Sequence, residues 1–258
     1  MKRYLRSAFP TELVNKIIDD ASYWPHSSVC LERPLTAEYG DGDKMYMRTL
    51  PLCIPGTEGD FSLVKDDFKT NGAAWTKKLT LGRAGGPLYP RTLLHPCRKI
   101  EFQLWSHDQG WGGGHPGTYQ ASYTWFDVST QNLQTSIFSG NTIEWPSSLL
   151  FEQSGGELCS IPTDPKPHIP ADTTLQRNVV AKGETTVHTI VWHYLDSYDK
   201  DSAEAREAAN QGRGPGTLDG RFVRSMQVGD CIILWVRARF PGWENHVEKA
   251  KITVYWMV

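Results

Sequence analysis

Long apolar runs are missing from this 258-residue chain: no stretch approaches the roughly 20 consecutive apolar residues that cross a bilayer, so a membrane span is not expected. Charge of one sign is missing too. The 27 Lys and Arg face 29 Asp and Glu, and a pI near 6.4 offers no basic field to recruit phosphate backbones. Nucleic acid is therefore set aside as a partner. Cysteine is sparse and unpatterned. Cys30, Cys53, Cys97, Cys159 and Cys231 are odd in number and never fall at CxxC spacing, which argues for reduced thiols in a cytoplasmic protein and against a disulfide framework or a structural zinc. The basic start MKRYLRSAF runs into PTELVNKIIDD and not into an apolar stretch with a small-residue cleavage site, so no secretory leader is expected. Signatures of catalysis are missing as well. There is no GxSxG elbow, no phosphate-binding loop, no dinucleotide fingerprint and no cysteine in a setting that would lower its pKa. No cofactor is expected.

What is present reads as one β-rich domain over residues 1–258. Its single convincing amphipathic helix spans 11–24, where Leu13, Val14, Ile17, Ile18 and Ala21 share a stripe and Thr11 suits the N-cap. Residues 25–44 turn to Pro, Gly and Ser. From Met45 onward short stretches rich in Val, Ile, Thr, Tyr and Trp alternate with Gly and Pro clusters, among them MYMRTLPL, AAWTKKLTL, RKIEFQLWS, GTYQASYTWFDV, RFVRSMQVGDCIILWVRARF and EKAKITVYWMV. In RKIEFQLWS, Ile100, Phe102 and Leu104 fall on one face and Glu101, Gln103 and Trp105 on the other. The expected fold class is all-β, a jelly-roll (galactose-binding-like) sandwich with one N-terminal helix. A long insertion near 196–220 starts helical and then turns glycine-rich and mobile.

The segment WSHDQGWGGGHPGTY gathers two histidines, an acid and two tryptophans around three glycines at the end of a strand. Rims of rigid sandwiches are where such folds usually bind, so His107, Asp108 and Trp111 are candidate site residues. As metal ligands His107, Asp108 and His115 lack HxxxH or HxH spacing, and no metal is expected. As an acid/base pair, His107 and Asp108 point to opposite sides of an extended backbone. As a corner, Asp108 would cap turn amides and His107 would bond a carbonyl.

Near the other end, CIILWVRARF sends Trp235, Arg237 and Arg239 to one face, with the guanidiniums about 7 Å apart. They would grip an anionic or planar ligand, or else pair with acids such as Glu101 on a neighbouring strand. FPGWENHVEK then reads as a type II turn at Pro241 and Gly242 that presents Trp243, Asn245 and His246. If the two tips share a rim, Trp111 and Trp243 would wall a pocket with His107, Asp108, Asn245 and His246 as polar contacts and an arginine beneath. His188, in HTIVWHYLDSYD, reads as a half-buried surface residue.

HPCRKIEFQLWSHDQGWGGG, YTWFDV and DGRFVRSMQVGDCIILWVRARFPGWENHVEKAKITVYW resemble a group of intracellular fungal proteins that join a helix like LVNKIIDDASYWP to a β-rich body. The likeness implies a common architecture and carries no settled activity. The helix itself resembles the opening of an F-box, the motif that docks onto a ubiquitin-ligase adaptor.

The leading expectation is a non-enzymatic binding module that recognises a small polar, glycan-like or peptide ligand through its tryptophan-lined rim. The competing expectations are an enzyme that uses His107 and Asp108 as acid and base with Arg237 and Arg239 on an anionic substrate, and an adaptor whose residues 11–24 bind a ubiquitin-ligase component.

Overall fold

The computed structural model describes residues 8–50, 52–53, 77–80, 95–132, 138–139, 142–145 and 173–257. Their elements run α1 (Thr11–Asp20), β1 (His26–Glu38), β2 (Lys44–Arg48), β3 (Lys77–Thr80), β4 (Cys97–His107), β5 (Thr124–Asn132), β6 (Phe138–Ser139), β7 (Thr142–Trp145), β8 (Thr174–Arg177), β9 (Thr186–His193), α2 (Ala203–Asn210), α3 (Gly216–Asp219), α4 (Arg221–Ser225), β10 (Asp230–Ala238) and β11 (Glu244–Trp256). Two four-stranded antiparallel sheets form, one in the order β1-β11-β4-β9 and the other β2-β10-β5-β8. A three-stranded sheet joins β3, β7 and β6.

The alternation read in the sequence explains how the two larger sheets meet. Ile100, Phe102 and Leu104 of β4 join Ile252 and Val254 of β11 in one buried cluster with Phe126 and Val128 of β5 and Ile232, Leu234 and Val236 of β10. One apolar face of each sheet is thus removed from water, at about 25 cal/mol per Å². Lys99, Glu101, Gln103 and Trp105 stay half-exposed on the opposite face of β4.

Several expectations need correction. Residues 26–38 form a 13-residue strand and not a turn-rich link. Pro34 hides it, because proline cannot donate to a ladder; here it sits on the edge strand of its sheet, at a break in register. GTYQASYTWFDV becomes strand only from Thr124, and RFVRS at the head of the predicted C-terminal strand is α4. The first helix is shorter than 11–24, with its cap at Pro10. It buries Val14 and Ile18, whereas Leu13 and Ile17 remain exposed. A salt bridge from Asp19 to Arg98 Nε at 2.9 Å ties it to the start of β4, the end opposite His107.

The excursion near 196–220 packs against the sandwich. It runs along the side of the sandwich where β8 and β9 are both edge strands. Gln176 and Arg213 form a β-bridge, the Arg213 guanidinium donates to the Thr189 carbonyl at 3.2 Å, and Trp192 Nε1 donates to Thr217 Oγ1 at 3.0 Å. Its glycines allow that closeness. A Cβ at Gly214 would fall on the Thr174 carbonyl oxygen, and one at Gly216 would lie 2.8 Å from the Trp192 ring. Unpaired strand edges are liable to add foreign strands, and this segment covers part of both.

Four described cysteines are free. Burial pushes the thiols of Cys53 and Cys231 up to about 12 and that of Cys97 higher still, which keeps them inert. Cys159 lies outside the described residues.

Candidate functional site

The two distant tips do share one rim. Antiparallel pairing sets His107, the last residue of β4, opposite His246 near the start of β11. Their imidazoles stack with centroids 4.6 Å apart and planes 16° from parallel. Glu244 N donates to Gln109 Oε1 at 3.3 Å, a second tie between the tips. The PGW turn has the form the sequence predicts: Trp243 N donates to the Phe240 carbonyl, and Gly242 takes φ +82°, a region that glycine enters without a Cβ clash.

The indoles clasp these tips instead of walling a pocket. A Cβ at Gly113 would lie 3.2 Å from the Trp243 ring, and one at Gly242 would lie 3.4 Å from Trp111. Each tip thus sets a bare glycine against the outer edge of the other's indole. Tyr123 meets both Phe240 and Trp243 edge-on, with centroids 4.7 and 5.2 Å away. Trp111 nevertheless remains 64% exposed, unusual for so large an apolar ring.

Asp108 is structural. It is fully buried, and its carboxylate accepts from Gly110 N at 2.8 Å, Ala181 N at 2.6 Å and Lys182 N at 2.8 Å. His107 Nδ1 donates to the Asp108 carbonyl at 2.7 Å. Of the three readings of this corner, the turn cap matches the geometry; the acid/base pair does not, because the acid never reaches solvent. Asn245 is sealed in as well. Its Nδ2 donates to the carbonyls of Trp125 and Arg237, and its Oδ1 accepts from Asn178 Nδ2 at 2.8 Å. Asn178 in turn accepts from Ser106 Oγ at 2.7 Å and donates toward Thr124 Oγ1. This buried network stitches the two sheets together beneath the rim. Asn178 carries no spacing or motif that would have singled it out.

Trp235 and Arg237 also leave the expected site. Both lie on the outer face of the second sheet, on the opposite side of the sandwich from His107 and His246. Trp235 is only 6% exposed and donates to Ser129 Oγ at 2.8 Å. Arg237 pairs with Asp127 at 2.9 Å and with Asp43. Burial lowers the pKa of Arg237 and raises that of Asp127. The pairing alternative is therefore the one that holds, although Glu101 is not the partner: it accepts from the Tyr255 hydroxyl on the other sheet. Arg239 stays exposed at the rim, with its guanidinium 5.3 Å from the Phe240 ring centroid.

A hollow of about 500 Å³ does open at this end, on the outer face of the first sheet. It is lined by Glu32, Pro34, Leu35 and Thr36 of β1, His107 of β4, and His246, Val247 and Glu248 of β11. Register explains why it exists. Between the rung of Leu104, Ala250 and Leu31 and the rung of Ser106, Val247 and Leu35, β4 advances two residues, β11 three and β1 four. Each strand nearer the edge carries one more residue over the same span, so the sheet must bow there. Hydrogen bonds secure the extra backbone: the Tyr46 hydroxyl donates to the Arg33 carbonyl at 2.7 Å, and Lys44 Nζ donates to the Thr36 carbonyl at 2.8 Å.

No family model, curated protein or solved structure matches this chain. The site must be read from its own atoms. Among the described residues no group of three or more His, Cys, Asp or Glu could hold a metal ion, and no described helix is long and apolar enough to cross a membrane.

One titratable group departs from its sequence expectation. His188 faces inward, 6% exposed, with Nε2 3.2 Å from the Tyr119 hydroxyl and Nδ1 without a partner among the described residues. Of the residues expected to form the site, His107, Trp111, Arg239, Trp243 and His246 remain accessible.

Proposed function

We propose that this protein is a non-enzymatic binding module of the cytoplasm that takes a small polar, glycan-like or peptide ligand at the rim of a jelly-roll, galactose-binding-like sandwich. Strand order supports the jelly-roll part. If the eight strands of the two large sheets are numbered along the chain, one sheet holds the first, eighth, third and sixth and the other the second, seventh, fourth and fifth. That is the wiring of two nested Greek keys.

The observation that carries the reading is the union of the two tips. It leaves Trp111 in the open, with its ring edge against Gly242, at the same end of the sandwich as the His107 and His246 hollow. Exposed indoles anchored by structure, with a few hydrogen-bonding groups nearby, suit the faces of sugars and planar side chains. Acid/base catalysis has less to stand on, since Asp108 is enclosed and Arg237 lies on the far face. Glycan and peptide arrays followed by calorimetry test the proposal. Trp111→Ala should abolish binding while moving the unfolding free energy by less than about 1 kcal/mol. A wild-type protein that takes no ligand, or a variant that binds undiminished, would refute it.

A second reading rests on α1. On α1, Leu13 and Ile17 lie one turn apart at i and i+4 and are 43% and 36% exposed, and Phe9, just before the Pro10 cap, is 44% exposed. An apolar row turned away from the domain fits a helix that docks on a ubiquitin-ligase component. Capture of that component by the full chain, and its loss on Leu13→Asp with Ile17→Asp, is the expected result. Equal capture by both proteins removes the idea.

A further inference from the structure

The geometry points to an alkylammonium or alkylguanidinium group as the occupant of the hollow formed where β1 and β11 bow away from β4. This inference rests on the rim-recognition reading and names its ligand chemistry.

The tautomers of the two stacked imidazoles set what the site offers. A carbonyl can only accept, so His107 Nδ1 carries the proton in its bond to the Asp108 carbonyl, and in the neutral imidazole its Nε2 keeps a lone pair. No described group bonds that Nε2. His246 is held the other way round. Its Nε2 lies 3.1 Å from the Glu244 carboxylate, which accepts, and its Nδ1 takes the Thr36 hydroxyl at 2.9 Å. Thr36 and Glu244 therefore occupy both nitrogens of His246. What remains free for a ligand is an acceptor.

The lining carries the same sign. Glu32 and Glu248 supply two carboxylates, and no Lys or Arg is among the lining residues. The adjacent Lys249 pairs with Glu32 at 3.1 Å, and Thr185 donates to Glu248 Oε1 at 2.6 Å, so each carboxylate is positioned while its remaining lone pairs stay available. Pro34, Leu35 and Val247 add an apolar wall suited to methylenes. An anion would meet the Glu248 carboxylate, which no cation pairs among the described residues, and a Glu32 carboxylate already balanced by Lys249. A neutral apolar group would leave the acceptors without donors, at a cost for each. A cationic donor on a short aliphatic stem satisfies both the acceptors and the wall.

The test follows the ring resonances of His107 and His246 by NMR at fixed pH. The probes are cadaverine, capped lysine and arginine residues, and capped norleucine, which keeps the stem and lacks the charge. The cationic probes should shift both rings, norleucine should bind at least about tenfold more weakly, and Glu248→Gln should weaken the cations by a similar factor. Cadaverine outbinding the capped residues identifies a free amine as the source, and the reverse order identifies a peptide side chain. Norleucine binding as well as lysine, or an unchanged affinity in a folded Glu248→Gln protein, overturns the inference. If neutral oligosaccharides move the rings and amines do not, the inference falls and the recognition reading stands. If nothing moves them, the inference falls, and the array and calorimetry test alone decides the recognition reading.

Discussion

Replacing Asp108 with alanine is expected to cost about 4 kcal/mol of unfolding free energy, read as a lower urea midpoint with an unchanged slope. The carboxylate satisfies three backbone N–H groups from two separate loops, those of Gly110, Ala181 and Lys182. Alanine leaves all three without an acceptor. Each orphaned buried amide costs about 1 to 3 kcal/mol, and water admitted to the gap offsets part of the sum. Asn should do better than Ala, because one retained oxygen still accepts from Gly110 and Lys182, while its NH₂ confronts the amide of Ala181. A catalytic Asp108 predicts the contrary pattern: a protein as stable as wild type that has lost an activity. An alanine variant within about 1 kcal/mol of wild type would rule out Asp108 as the cap of these loops.

Acid should weaken the fold through His188. Burial, reinforced by the positive charges of Lys182 and Arg213, lowers its pKa from 6.5 to about 4. The sign follows from linkage. Above about pH 6.5 neither folded nor unfolded chain holds the proton, and stability is undiminished. Between 6.5 and about 4 the unfolded chain binds a proton that the folded chain refuses, so stability falls as pH falls. Below about 4 both are protonated and this loss stops growing. Its full extent is roughly 3 kcal/mol. Urea midpoints taken at closely spaced pH values should show that slope in the wild type and a shallower one in His188→Phe. Identical slopes would mean that the imidazole is not held neutral.

Much of the strand content is legible in the sequence because alternation is a local signal. Ile100, Phe102 and Leu104, or Ile232, Leu234 and Val236, announce a half-buried strand without reference to anything else in the chain. The PGW turn is legible for the same reason, since Pro at the second position fixes φ and Gly at the third admits the positive φ that a type II turn requires. What is not legible depends on partners. Pro34 breaks a strand signal unless the strand is known to be an edge with a bulge. The glycines at 212, 214 and 216 read as a flexible stretch, yet they are bare because Tyr119, the Thr174 carbonyl and Trp192 press against them. Trp111 and Trp243 belong to the rim, as their turn-rich surroundings suggest, but they are not its walls, because their resting places are Gly242 and Gly113 of the opposite tip. That Arg237 should pair with an acid follows from its place on a strand face; which acid does not, since strand order decides that Asp127 and not Glu101 is its neighbour.

The additional residue that β11 inserts against β4 has an effect beyond bending. On one side of Glu248 the inward positions are Ala250, Ile252 and Val254; on the other they are Val247 and Asn245. Even numbers give way to odd. A chain shortened by that one residue would send His246 into the interior and turn Asn245 out to water, so that the amide bridge between the sheets and the accessible imidazole would exchange places. The internal seam and the outward-facing ligand surface are therefore two readouts of a single phase slip, and neither can be altered in evolution by insertion or deletion there without rewriting the other.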